Sequence, residues 1–360
     1  MVINLARQMA LQGSFEPVIL VMDWDANEPV WETVHGLRTV RWRIRGPYSG
    51  HNLKWRIANF FWRRRFAPAF KAFCRDHNVA VINSHYPNEA TLTLDALAQT
   101  FVPAPQTIVS FHGEDVTSLQ ASAPSKLNIW RELLKRAHGV VVCSSALGQR
   151  VEQILGCSPT VIHNGIDAAA FCSMAGSSSK KPRRTLLSVG KFEENKGQDV
   201  LLRAFATLVA DYADLDLILV GATAATLPPL RQICVQLGIQ HRVYFRPDVL
   251  HHDVASCFAS ASIFVLPSRV EPFGIVLLEA GCFALPVVAS AVGGVPEILE
   301  DGVTALLIEP DRSDKLALAL RAVLDDAASA RAMGERLRVH VLKNFSWTRA
   351  HDLYVQLARP

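Results

Sequence analysis

Short apolar runs bounded by Pro, Gly or polar clusters recur along the chain, at Pro17–Met22, Val79–Asn83, Thr107–Ser110, Gly139–Ser144, Thr185–Val189, Asp216–Val220, Val243–Phe245, Ile263–Leu266 and Val287–Ala289. Runs of this length that do not alternate with polar residues predict strands buried on both faces, as in parallel sheets. The stretches between them carry apolar residues at helical spacing. Val2, Leu5, Ala6 and Met9 share one helical face, with Gly13 placed as the stop. Leu201, Leu202 and Phe205 mark a second helix, and Gly274–Gly281 is apolar on nearly every turn, as in a helix buried around most of its circumference. Strands alternating with helices predict an α/β chain built on doubly wound, Rossmann-like parallel sheets.

The organisation follows from where that alternation pauses. Residues 168–184 are small, polar and basic, which predicts a linker between a first domain, 1–167, and a second, 185–345. A last amphipathic helix is expected over 346–359. A doubly wound domain begins with a strand in mid-sheet and a Gly-rich turn, whereas this chain opens inside a helix. The expectation is that the first strand of the N-terminal domain is missing, that Met1 is an internal methionine, and that about 10–20 upstream residues supply the strand and turn.

At 360 residues, half of them apolar, the chain can bury two domain-sized cores. Its +4 charge lies wholly in the N-terminal half. Between Arg38 and Arg75 stand eleven basic residues, Arg63, Arg64 and Arg65 among them, and no acidic one. Aromatics interleave with them, which reads as a core-packed helix with a cationic outer face. An anionic acceptor or an anionic membrane surface is the partner such a charge suits. Nucleic acid is disfavoured, because the charge is local and no recognition motif accompanies it. The seven cysteines are scattered without a C-x-x-C pair, which speaks against a zinc site and fits a reducing compartment. With no signal peptide or membrane-spanning run, the expected location is cytoplasmic, peripheral to the inner face of the membrane where the basic stretch engages it.

The chemistry concentrates between Phe264 and Pro296. Glu271 precedes the helix that starts at Gly274, and Glu279 lies within it. Backbone N–H groups of Phe273, Gly274 and Ile275 at the helix start favour a phosphate. From Gly274 to Glu279 the helix rises roughly 7–8 Å. A nucleotide sugar fits these spacings, with its diphosphate on the helix start and its hydroxyls on two fully charged carboxylates.

The run P-S-R-V-E-P-F-G-I-V-L-L-E-A followed by V-G-G-V-P-E-I resembles the E-x7-E block of the GT4 glycosyltransferases, a retaining family with the GT-B fold. Further blocks resemble the same family: His112-Gly113-Glu114-Asp115, Asn164-Gly165-Ile166-Asp167, and Gly190-Lys191 with Lys196-Gly197. The resemblance covers nearly the whole chain. It implies two Rossmann-like domains facing across a cleft, with the tail helix returning to the first. It implies transfer of a sugar from a nucleotide diphosphate sugar, with retention and without a metal or other cofactor, to a sugar or lipid-linked glycan acceptor in cell-surface polysaccharide or glycolipid synthesis. By the same resemblance Lys191 and Lys196 bind the diphosphate, Glu271 and the Phe273–Gly274 backbone hold the sugar, and Glu279 holds the ribose. His112 contacts the sugar near its anomeric carbon, His85 is a weaker candidate, and Arg246 lies where relatives read the base. Lys191 stands where Arg is usual, Thr223 where Gly is usual, and Ala284 and Ala305 replace turn glycines. Asp23-Trp24-Asp25 is similar to a metal-holding D-x-D but belongs with a solvated loop. A catalytically impaired or truncated nucleotide-sugar-binding protein and a UDP-sugar 2-epimerase are the rival readings.

Overall fold

In a computed structural model of the chain, residues 1–47, 53–175, 183–222 and 224–358 are described. They form two units, Met1–His163 with Ala350–Pro360, and Asn164–Arg349. The boundary falls a few residues before the expected 167, and the tail belongs to the first unit from Ala350. The expected linker is partly a correction. Ala168–Ser173 is a helix whose Phe171 is buried against Phe258 and Phe283, because A-A-A-F offers an apolar face capped by the Asp167 side chain. Residues 176–182 of that linker, Thr223 and the tail end at 359 lie outside the described residues.

The second unit is a single parallel sheet of β8 (Arg184–Val189), β9 (Leu215–Gly221), β10 (Val243–Pro247), β11 (Ile263–Leu266), β12 (Val287–Ser290) and β13 (Leu306–Ile308), in the order β10-β9-β8-β11-β12-β13. Leu217, Leu219, Val265 and Val288 from its strands pack with Leu201, Phe205, Leu316 and Leu320 in one apolar core. Ala284 adopts φ +51°, so the turn without its glycine holds an L-residue in the left-handed region, at a strain of about 1 kcal/mol.

The first unit, expected as a doubly wound domain lacking its first strand, carries its strands in two separate sheets. β4 (Val81–His85), β5 (Gln106–Phe111), β6 (Gly139–Val142) and β7 (Thr160–Val161) make one parallel sheet. β1 (Ile19–Met22), β3 (Leu37–Trp42) and β2 (Val30–Val34) make a separate one, in the order β1-β3-β2. β1 and β4 are both edge strands. The basic stretch also needs correcting: Leu37–Trp42 is a strand rather than a helix, with Leu37, Thr39, Val40 and Trp42 buried and Arg38 and Arg41 outward. Helix α2 begins only at Leu53 and runs to Asp76. Its Phe66 and Phe70, with Trp42, Ile82 and Leu20, tie the two sheets into one core. The tail helix Trp347–Leu357 sets the Tyr354 hydroxyl 3.0 Å from Ser110 Oγ on β5.

Candidate active site

The strand order of the second unit reverses between β8 and β11, and ligands of open α/β sheets bind outside the strand carboxyl ends at such a switch point. The loop after β8 carries Lys191 and Lys196, and the loop after β11 carries Arg269 and Glu271. Arg269 fastens the two together. Its Nη1 and Nη2 donate to the Asp199 carboxylate at 2.9 Å each, its Nε to Asp311 at 2.5 Å, and its backbone N–H to the Asn195 carbonyl at 2.8 Å. The outcome is an ion pair at the switch point, Lys196 Nζ to Glu271 Oε2 at 2.8 Å. Two glycines permit it. A Cβ at Gly197 would come within 2.0 Å of the Pro267 carbonyl oxygen, and one at Gly293 within 2.0 Å of the Glu271 carbonyl oxygen. Glu271 is thereby buried while its carboxylate still faces a cation. Lys191 is more exposed and sits 3.9 Å from Glu193.

The helix that follows, Ile275–Cys282, starts at Gly274 with φ +98°, a backbone state that L-residues avoid. As at every helix start, the opening amides point out along the axis, and that of Leu277 returns to the Gly274 carbonyl at 2.9 Å. Phe273 is buried, its ring 6.1 Å from Phe345. Burial pushes the Glu279 carboxyl up to about 8, which favours its protonated, hydrogen-bond-donating form at neutral pH, while the residue keeps part of its surface in solvent.

In the first unit, His85 ends β4 and His112 directly follows β5. Their rings lie near parallel, with His85 Nδ1 3.1 Å from His112 Nε2. Burial lowers both, His85 to about 4 and His112 to about 3; positive charge on His85 further opposes protonation of His112, and the charge of the amino terminus acts in the same sense on both. Two neutral imidazoles at that distance share one proton, so each fixes the tautomer of the other. Asp115 shapes the turn beneath them: its carboxylate accepts from the backbone N–H of His112 at 2.9 Å, of Gly113 at 2.7 Å and of Val116 at 2.8 Å. The Tyr86 ring lies 4.3 Å from that of His112, on a backbone with φ +51°.

Known proteins show what family such a switch point belongs to. The family model described as glycosyl transferases group 1 matches residues 173–340, and that of glycosyltransferase family 4 matches residues 1–170. The chain belongs to the family 4, group 1 glycosyltransferases. The D-inositol 3-phosphate glycosyltransferase of Kineococcus radiotolerans is 28% identical to this glycosyltransferase, over 99% of the chain and 89% of the relative. A glycogen synthase of Mycobacterium tuberculosis is 30% identical over 60% of the chain and 52% of the relative. Sucrose-phosphate synthase from Thermosynechococcus elongatus superposes with a TM-score of 0.78 at 25% identity, covering 99% of this chain and 91% of the other. Anabaena HepE, solved in complex with UDP and glucose, shares the GT-B fold at a TM-score of 0.71 and 21% identity, covering 89% and 86%.

Other candidates in this glycosyltransferase lie apart from the Lys196–Glu271 pair. Arg246 is on β10, two strands or roughly 10 Å from β8, with Nη1 3.5 Å from Cys257 Sγ. It lines a groove of about 800 Å³ along β10 with Asp216, Arg231 and Tyr244. Thr185 and Asp216, at the amino ends of β8 and β9, also line that groove, and Asp216 is already paired with Arg183 and Arg242 at 2.8 Å each. The basic stretch is less bare than its sequence: Glu16 pairs with Arg38, Asp23 with Arg41, and Glu28 with Arg65, all brought from outside it. Asp23 also accepts from the Asp25 N–H at 2.9 Å, and among the described residues no group of three His, Cys, Asp or Glu could hold a metal ion. No described helix is long and apolar enough to cross a membrane. The sequence missed Arg269 and Asp115 as organisers; for Asp115 the signal was an acidic residue in the first turn of a helix, just after Gly113, where backbone amides are free to donate.

Proposed function

We propose that this glycosyltransferase uses a nucleotide diphosphate sugar as donor, retains the anomeric configuration and needs no metal. The observation that carries the reading is the Lys196–Glu271 pair at the switch point, directly before a helix N-terminus. A diphosphate leaving group would displace Lys196 from Glu271, and the lysine and the first-turn amides would meet the charge that develops on it. The freed Glu271 carboxylate would accept from sugar hydroxyls. Lys191 adds a second, looser cation. Glu279, in its protonated form, donates to a ribose oxygen. His112 contributes a neutral ring to the sugar, held in one tautomer by His85. Catalysis on this reading is orientation and charge complementarity, with the departing phosphate assisting the acceptor's attack on the same face.

The acceptor is proposed to be a sugar or lipid-linked glycan that carries negative charge or is held at a membrane. The excess of basic residues in the first unit supports this, as does the inositol 3-phosphate for which the Kineococcus relative is named. Incubation with a panel of nucleotide sugars, with and without acceptor, tests the reading through nucleotide diphosphate release and the anomeric proton coupling of the product. Inversion, or a strict requirement for added divalent cation, refutes it. Epimerised donor in the absence of acceptor identifies a 2-epimerase instead, and binding without turnover a binding protein.

A further inference from the structure

Helix α2 is apolar on two opposite faces. Trp62, Phe66, Phe70 and Phe73 share the face packed in the core. Ile57, Phe60 and Phe61 lie on the reverse face at helical spacing, and are 49%, 56% and 65% exposed. Side chains of this size are not left together in water by chance on one stripe of a helix. Cations frame them: Lys54 lies one turn before Ile57, and the Arg64 guanidinium stands 5.6 Å over the Phe60 ring. Among the described residues no carboxylate pairs with Lys54, Arg63 or Arg64. The loop before β2 that supplies Glu28 to Arg65 also carries Trp24, 58% exposed.

We propose that the Ile57–Phe60–Phe61 face of α2 docks on an anionic lipid bilayer, the three side chains entering the interface while Lys54 and Arg64 meet lipid phosphates. Charge complementarity selects this occupant. An apolar stripe framed by unpaired cations matches an interface in which acyl chains lie just beneath negative headgroups, and a second copy of the face would set Arg64 against Arg64. The proposal rests on this face alone and stands whatever the donor site binds.

The test is co-sedimentation of the full chain with vesicles of phosphatidylcholine, with and without phosphatidylglycerol. Wild type should bind the anionic vesicles at least tenfold more tightly. Phe60→Ser with Phe61→Ser should lose at least tenfold, although every cation is kept. Lys54→Glu with Arg64→Glu should lose a similar factor. Phe61→Trp should add an emission component that shifts to the blue on vesicles and is quenched by brominated acyl chains. Melting curves and nucleotide affinity of the variants establish that they are folded. Vesicle binding by the double serine variant at wild-type strength, or an emission from the Phe61→Trp variant that vesicles leave unshifted, overturns the proposal. So does a wild-type dimer that the serine variant dissolves while lipid binding is unchanged.

Discussion

Glu271→Gln separates holding the sugar from holding the diphosphate. In the unliganded protein the carboxylate is occupied by Lys196 at 2.8 Å, the two side chains being 11% and 20% exposed. The amide keeps the shape and an acceptor oxygen but removes the charge. A partly buried pair of this kind is worth about 1 kcal/mol, so a freed Lys196 should bind UDP or GDP as tightly as before or up to roughly fivefold more tightly. Turnover should move the other way. A hydrogen bond from a sugar hydroxyl to a charged acceptor contributes about 1.5–3 kcal/mol, and its loss in the transition state lowers kcat by roughly 10- to 150-fold. Calorimetry with the free nucleotide and steady-state kinetics with the nucleotide sugar read the two quantities separately. If nucleotide affinity falls in step with kcat, Glu271 acts by holding the loop together, and the assignment of its carboxylate to the sugar is refuted.

Arg269→Ala should cost about 2–3 kcal/mol, because it leaves the Asp199 carboxylate unpaired, and lower Tm by about 4–12 °C; Arg269→Lys should restore less than half, since it cannot form the fork. Scanning calorimetry checks this, and an unchanged Tm refutes the clamp. Glu279 has a raised pKa in the fold, so the stability it permits is intact below its ordinary range and is lost as pH rises toward about 8. Without nucleotide, Glu279→Gln should therefore gain on wild type in Tm between pH 6 and pH 9, and a constant difference would refute the shift. His85→Phe keeps a ring beside His112 but removes the shared proton; kcat should fall about tenfold while nucleotide affinity holds, and nitrogen NMR should show His112 changing from one tautomer to a mixture. Unaltered kcat with an unaltered tautomer would leave His85 a packing residue.

The second unit was legible where its strands are buried on both faces, as β8, β9, β11 and β12 are, because full burial leaves nearly uninterrupted apolar runs; the half-buried three-residue β13 was not read. The same logic failed in the first unit where burial is one-sided. β3 sets Arg38 and Arg41 among apolar residues, so L-R-T-V-R-W read as part of a basic stretch, and β2, V-W-E-T-V, was not read as its hairpin partner. The signal was present in the pair His35-Gly36, which joins Val34 to Leu37 with φ +51° and +80° in a two-residue turn. Glu271, Lys196 and Glu279 could be picked out by spacing, but the proton on Glu279 could not, since spacing carries no information on how deeply a helix face is covered. Arg269 and Asp115 act through contacts with residues 70 positions away and with backbone amides respectively, and neither leaves a periodic trace. The exposed stripe on α2 was hidden by its neighbours: Phe60 and Phe61 look like Phe66 and Phe70 until the helix phase is fixed by the core.

The first unit is discontinuous in sequence, and that orders its birth. Its closing element is made only after the whole of the second unit: Tyr354 reaches Ser110 across 244 positions, Leu357 stands over Gly139 so closely that a Cβ there would lie 2.5 Å from it, and His351 Nε2 meets Ser14 Oγ at 3.0 Å. Asn164–Arg349 can complete its sheet and core while the tail is still in the exit tunnel. Residues 1–163 cannot, and wait as a partly built layer through the synthesis of everything after them. The unit begun before the other is thus completed after it, and a chaperone that engages this chain during translation should be found holding residues 1–163.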